Sequence, residues 1–100
     1  MDVPLEGIAR LLVETPVDAL DLHGLSARQA RERVERFLRS RARAHPGRVV
    51  HVVTGKGNRS EGAPVLLPMV ASLLAEDAAE HVEESAGLRG GGGFAVRLRS

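Results

Sequence analysis

The chain contains no cysteine, which excludes a disulfide framework, a thiolate zinc site and thiol catalysis. It also lacks Trp and Tyr, leaving Phe37 and Phe94 to supply nearly all its aromatic surface. Proteins that stack successive bases need a platform of such rings. Any nucleic-acid contact here is therefore expected mainly at phosphates and through shape. No apolar run approaches the length needed to span a bilayer. The start of the chain shows no basic region followed by an apolar stretch. A soluble, cytoplasmic protein without a membrane partner is the expectation, and 100 residues suffice for one core but not two.

What is present is unevenly distributed. The net charge of +1 conceals three blocks: −4 over residues 1–22, +8 over 23–60 and −3 over 61–100. Ten Lys/Arg against two acids in the middle block predict one basic face, a common footprint of polyanion binding. A solvated arginine-rich helix would look the same.

The chain reads as an arm, residues 1–15, followed by one domain over 16–100. Ile8, Leu11 and Leu12 have helical spacing within the arm, between Pro4 and Pro16. "VDALDLH" alternates as a short strand ending at Gly24. Ser26 and Gln29 form a capping box that opens a helix to about Ala44. Its inward stripe is Ala27, Ala30, Val34, Phe37, Leu38 and Ala42. Glu32–Arg36 and Glu35–Arg39 are candidate i,i+4 pairs on its surface. "RVVHVVTG" has the β-branched continuity of a strand covered on both faces. A second helix is expected from near Pro64 to about Asp77, with Val65, Met69, Val70, Leu73 and Leu74 inward and Pro68 an irregularity. "EHVEES" and "FAVRLR" complete the set as strands joined by a long, mobile loop containing Gly90 to Gly93. The order β-α-β-α-β-β predicts an α/β fold with a mixed four-stranded sheet. Its first two strands should be parallel through a right-handed crossover.

Ligands of open α/β sheets gather beyond the carboxyl ends of the strands, where three features converge. Asp21 and His23 are spaced so that a carboxylate can orient an imidazole for general acid/base work; an ordinary polar strand end is the alternative. "TGKGNRS" offers Gly55, Lys56, Gly57 and Arg59 as an anion-binding turn, or simply a tight turn with a solvent-facing lysine. It matches neither GxxxxGK[ST] nor GxGxxG, which argues against a nucleotide cofactor. The glycine run, with Gly91 and Gly93, reads either as a flexible connection or as backbone brought close to a phosphate or the neighbouring loop. His51 lies inside the apolar strand and is expected to pack rather than ligate. Metal binding by Asp21, His23 and His51 is conceivable but follows no spacing rule.

Taken in order, "LDLHG", "ARQARERVERFL", "VVHVVTGKGNRSEGAPVL" and "GGGGFAVRL" resemble the small MutS-related (Smr) domain over about residues 18–99. The resemblance implies a two-layer α/β sandwich similar to the C-terminal domain of translation initiation factor three. It also implies endonucleolytic nicking or cleavage of DNA or RNA, with some relatives acting on ribosomes or on mRNA between stalled ribosomes. The family's DxH motif falls on Asp21 and His23, and its GKG motif on Gly55, Lys56 and Gly57. Where many members carry a histidine two residues after GKG, this chain has Arg59. On this reading His23 is the general acid/base, with Asp21 orienting it or holding a divalent metal such as magnesium or manganese. Lys56 and Arg59 grip phosphate, glycine amides including those of Gly91 and Gly93 add donors, and Arg28 and Arg31 extend the track. A non-catalytic RNA- or ribosome-binding module is the alternative, and a protein-interaction domain meeting an acidic partner is a third.

Overall fold

A computed structural model describes residues 7–55 and 63–100, with side chains from residue 66 onward in the second stretch. Along the chain run α1 (Gly7–Val13), β1 (Asp18–Asp21), α2 (Ala27–Ala44), β2 (Val49–Val53), α3 (Ala63–Ala75), a 3-10 turn (Ala79–His81), β3 (Val82–Gly87) and β4 (Gly93–Leu98). The four strands form one sheet in the order β1-β2-β4-β3. β1 and β2 are parallel, whereas β4 runs antiparallel to both β2 and β3. This is the expected mixed sheet, with β1 and β3 at its edges.

Alternation along the strands divides the core. Val50, Val52, Val96 and Leu98 are fully buried and belong to one cluster with Val34 and Leu38 of α2 and Val70, Leu73 and Leu74 of α3. The opposite face presents Val49 and Ala95, which pack with Leu11 of α1. The arm thus contributes a helix to the reverse face of the two-layer sandwich. Complete burial of Leu11 stabilises that docking by roughly 1.5–3 kcal/mol.

Arg97 ties the arm down. It stands on β4 with its side chain 11% exposed, bonding Glu14 at 3.0 Å, Glu84 of β3 at 3.1 Å and the Gly47 carbonyl at 2.9 Å. Glu14 and Glu84 hold the guanidinium pKa above its ordinary value, against the opposing effect of burial. His51 is half-buried on the same face and lines a cleft with Ile8, Leu12 and Val13. Its Nε2 is buried and has no hydrogen-bond partner among the described residues. Burial pushes the imidazole pKa down.

Several local expectations change. β1 ends at Asp21, short of Gly24: the Leu22 N–H still donates to the Val53 carbonyl at 2.8 Å, and the Leu25 N–H then closes a turn onto the Leu22 carbonyl at 3.1 Å. Helix α3 continues through Pro68 and stops at Ala75, two residues early, where the Ala78 N–H donates to the Leu73 carbonyl at 2.8 Å. Met69 is half-buried, and Val70, Leu73 and Leu74 are inward as expected; the Val65 side chain lies outside the described residues. The loop between β3 and β4 is not a long mobile one. Leu88 N–H donates to the Gly93 carbonyl at 2.9 Å and Gly91 N–H to the Leu88 carbonyl at 3.1 Å, which closes a tight hairpin turn. On α2, Glu35 pairs with Arg31 at 3.5 Å rather than with Arg39. Among the described residues Glu32 forms no ion pair with Arg36. Ala27 is exposed rather than part of the inward stripe.

Candidate active site at the sheet's carboxyl edge

The register places Asp21 beside Val53, and Val53 beside Gly93. The ends of β1 and β2 and the beginning of β4 therefore share one edge of the sheet. Local sequence explains why the chain turns there. After Asp21, Leu22 plunges into the core, Gly24 takes a φ of +81°, and the Ser26–Gln29 capping box opens α2. The box uses both reciprocal bonds, Gln29 N–H to the Ser26 hydroxyl and Ser26 N–H to the Gln29 side chain.

His23 lies just beyond β1, so strand alternation is not what joins it to Asp21. A two-residue turn does. Asp21 Oδ1 accepts from the His23 backbone N–H at 3.0 Å and lies 2.9 Å from His23 Nδ1. These two bonds, the backbone one first, lower the Asp21 pKa below its ordinary value of 3.8, keeping the carboxylate ionised at neutral pH. An ionised Asp21 favours the tautomer with hydrogen on Nδ1, which directs the Nε2 lone pair outward. The His23 side chain is 77% exposed, so a substrate can reach it.

The next loop is pinned against this pair. Thr54 and Gly55 both donate their N–H groups to the Gly92 carbonyl, at 2.9 and 3.2 Å. Thr54 is fully buried. Gly55 has a φ of +91°, and a Cβ there would sit 3.8 Å from the His23 Cβ. The glycine run, the start of the GKG loop and the Asp21–His23 pair are thereby brought together. Gly93 has a packing role at this junction. A Cβ on it would lie 2.3 Å from the Val52 carbonyl oxygen, whereas one on Gly91 would meet open space. Lys56, Gly57 and Arg59 lie outside the described residues.

The two helix arginines differ. Arg28 is exposed in the first turn of α2 and makes no ion pair among the described residues. Arg31 instead bonds Asp77, joining α2 to the segment after α3. Among the described residues no group of three or more His, Cys, Asp or Glu side chains is arranged to hold a metal ion. Asp21 stands with one histidine whose Nδ1 is already engaged, and His51 does not join them. The described donors therefore do not fit a resident metal.

Comparison with known proteins agrees with the layout. A family model described as Smr domain matches residues 20–99, from the strand that carries Asp21 to the last strand. The chain belongs to the Smr domain family. This family is associated with nuclease activity. An uncharacterized protein of Treponema pallidum (strain Nichols) is 38% identical over 64 residues, which are 64% of this chain. The chain matches about a third of that relative's length, 31%. Among the described residues no helix is long and apolar enough to cross a membrane.

The clamp formed by Thr54, Gly55 and the Gly92 carbonyl is the close approach to the neighbouring loop that is one of the two readings of the glycine run.

Proposed function

We propose that this Smr domain is an endonuclease acting on the phosphodiester backbone of DNA or RNA. The bond between Asp21 Oδ1 and His23 Nδ1, at an exposed edge beside Gly55, carries this reading. His23 Nε2 removes a proton from the attacking hydroxyl, of water or of an RNA 2′-OH. A new P–O bond forms as the bond to the leaving oxygen breaks, and the imidazolium returns its proton to that oxygen. Asp21 fixes the tautomer and stabilises the transient imidazolium. Lys56 and Arg59 hold the phosphate, with glycine amides as further donors; the permanently charged guanidinium of Arg59 steadies developing negative charge. Arg28, exposed in the first turn of α2, contacts a neighbouring phosphate.

A second reading is a non-catalytic RNA- or ribosome-binding module, favoured by Arg59 standing where many relatives have histidine. Incubation with labelled single- and double-stranded DNA and RNA, in EDTA, magnesium or manganese, separates the two. Cleavage by the wild type and its loss in Asp21→Ala/His23→Ala support the nuclease. Salt-sensitive binding without cleavage in any arm supports the module.

A further inference from the structure

The arginines of α2 are not scattered around it. At 100° per residue, Arg28, Arg33, Arg36, Arg39 and Arg43 fall within an arc of about 140°. All five are exposed and unpaired among the described residues. Shallow depressions adjoin this face in series. The first is bounded by Leu25, Gln29, Arg33 and Arg36, just past His23. A second of about 460 Å³ shares Arg33 and Arg36 and lies between α2 and edge strand β1. Half-buried Leu20 and Phe37 supply its apolar part. The third shares Ser40 and Arg41 and reaches Arg43 and Ala44. Together they form one trough along α2, leading away from Asp21 and His23. Asp18 and Glu32 are its acids, and Asp18 lies 3.5 Å from Arg41.

We infer that this trough is a binding track for a single-stranded flank of the nucleic acid, with phosphates at Arg33 and Arg36 and one unstacked base against Leu20 and Phe37. The inference rests on the nucleic-acid reading of the adjoining site and adds the strandedness and direction of the bound segment. Charge complementarity selects a polyanion. Shape selects its form, because the depression of about 460 Å³ between α2 and β1 offers Leu20 and Phe37 as an apolar seat for an unstacked base, which a single strand can splay out and a duplex keeps in its stack. One aromatic ring seats a single base, and Arg33 and Arg36, both on the N-terminal side of Phe37, line the same depression. Apolar and guanidinium surfaces side by side suit an unpaired base and its phosphates.

The test is Arg33→Gln/Arg36→Gln, two exposed positions whose loss leaves the core untouched, with thermal melting to verify folding. Binding of nuclease-resistant phosphorothioate 12-mers is followed by fluorescence anisotropy across a salt series, for a single strand and for a duplex. The expected result is at least a tenfold weaker single-strand affinity and a log K against log[salt] slope shallower by about 1.4, two phosphates at about 0.7 each. The duplex should lose less. An unchanged single-strand slope, or a duplex loss as large as the single-strand loss, overturns the inference. Because only binding is read, failure of the wild type to cleave would sink the nuclease proposal and leave this result standing.

Discussion

Replacing Gly93 with alanine should damage the protein far more than a single methyl group suggests. The added Cβ would lie 2.3 Å from the Val52 carbonyl oxygen and 2.9 Å from the Val53 Cα, both backbone atoms of β2. Neither can rotate aside, so β2 and β4 must separate at the edge that carries the candidate site. Overpacking of this kind costs about 3 kcal/mol, near the upper end of its usual range because backbone rather than side chain must yield. For a domain of this size that corresponds to a fall in Tm of roughly 12–24 °C. Gly91→Ala is the control. Its φ of +74° disfavours alanine, but open space surrounds the position, so a cost of about 1 kcal/mol is expected. Thermal and urea unfolding of the two variants measure the difference. In Gly93→Ala, amide exchange at Thr54 and Gly55 should also accelerate, because both donate to the Gly92 carbonyl beside the strained strand. A Gly93→Ala variant as stable as Gly91→Ala would refute the close-packing argument.

Two further predictions concern the reverse face of the sheet. Arg97→Met should cost about 2–3 kcal/mol in urea unfolding, because it strands Glu14 and Glu84 without a cation; their partial exposure keeps the cost below that of a fully buried pair. Adding Glu14→Gln and Glu84→Gln should recover most of that loss, whereas a triple variant as unstable as the single one would contradict the ion-pair explanation. For His51 the folded pKa is depressed below 6.5 by burial, so below about pH 6.5 the unfolded chain binds a proton that the folded chain refuses. Stability should decline as pH falls through 6.5 toward the folded value and then level off. His51→Leu should flatten the change in Tm between pH 7.5 and 5.5, and an equal change in both proteins would show that His51 does not drive it.

The parts of the fold visible in the sequence are those set by local chemistry. Ser26 and Gln29 announce the start of α2 because a capping box joins residues three apart. The β-branched run of β2 and the apolar positions of α3 are similarly local. Partners distant in the chain are a different matter. Arg97 meets Glu14, far away at the other end, because β4 runs behind α1, and nothing in "FAVRLR" names that partner. Glu35 has Arg31 and Arg39 each four residues away, so sequence alone does not choose between them; the Arg31 pair forms. Of the two readings of the glycine run, the close backbone approach holds and the flexible connection does not, for a related reason. Four glycines look flexible in isolation, yet the turn hydrogen bonds and the absent Cβ of Gly93 lock them against β2.

At the candidate site, residue identity was legible before geometry. Asp21 and His23 were found by spacing and family pattern, but the bond between them is made by a turn rather than by neighbouring positions on a strand. Arg31 seemed free because its partner, Asp77, is on a distant segment. The trough beside α2 could not be read at all from a list of arginines, since edge strand β1 supplies its other wall.

The central claim is that the Asp21–His23 pair cleaves nucleic acid. Its most direct test is the rate at which purified wild type and Asp21→Ala/His23→Ala cut the same labelled DNA and RNA substrates, with binding measured in parallel. Cleavage by the wild type is expected, with a rate at least a hundredfold lower in the double variant, the minimum for loss of a general acid/base, while folding and most binding persist. A double variant that cuts as fast as the wild type would contradict it.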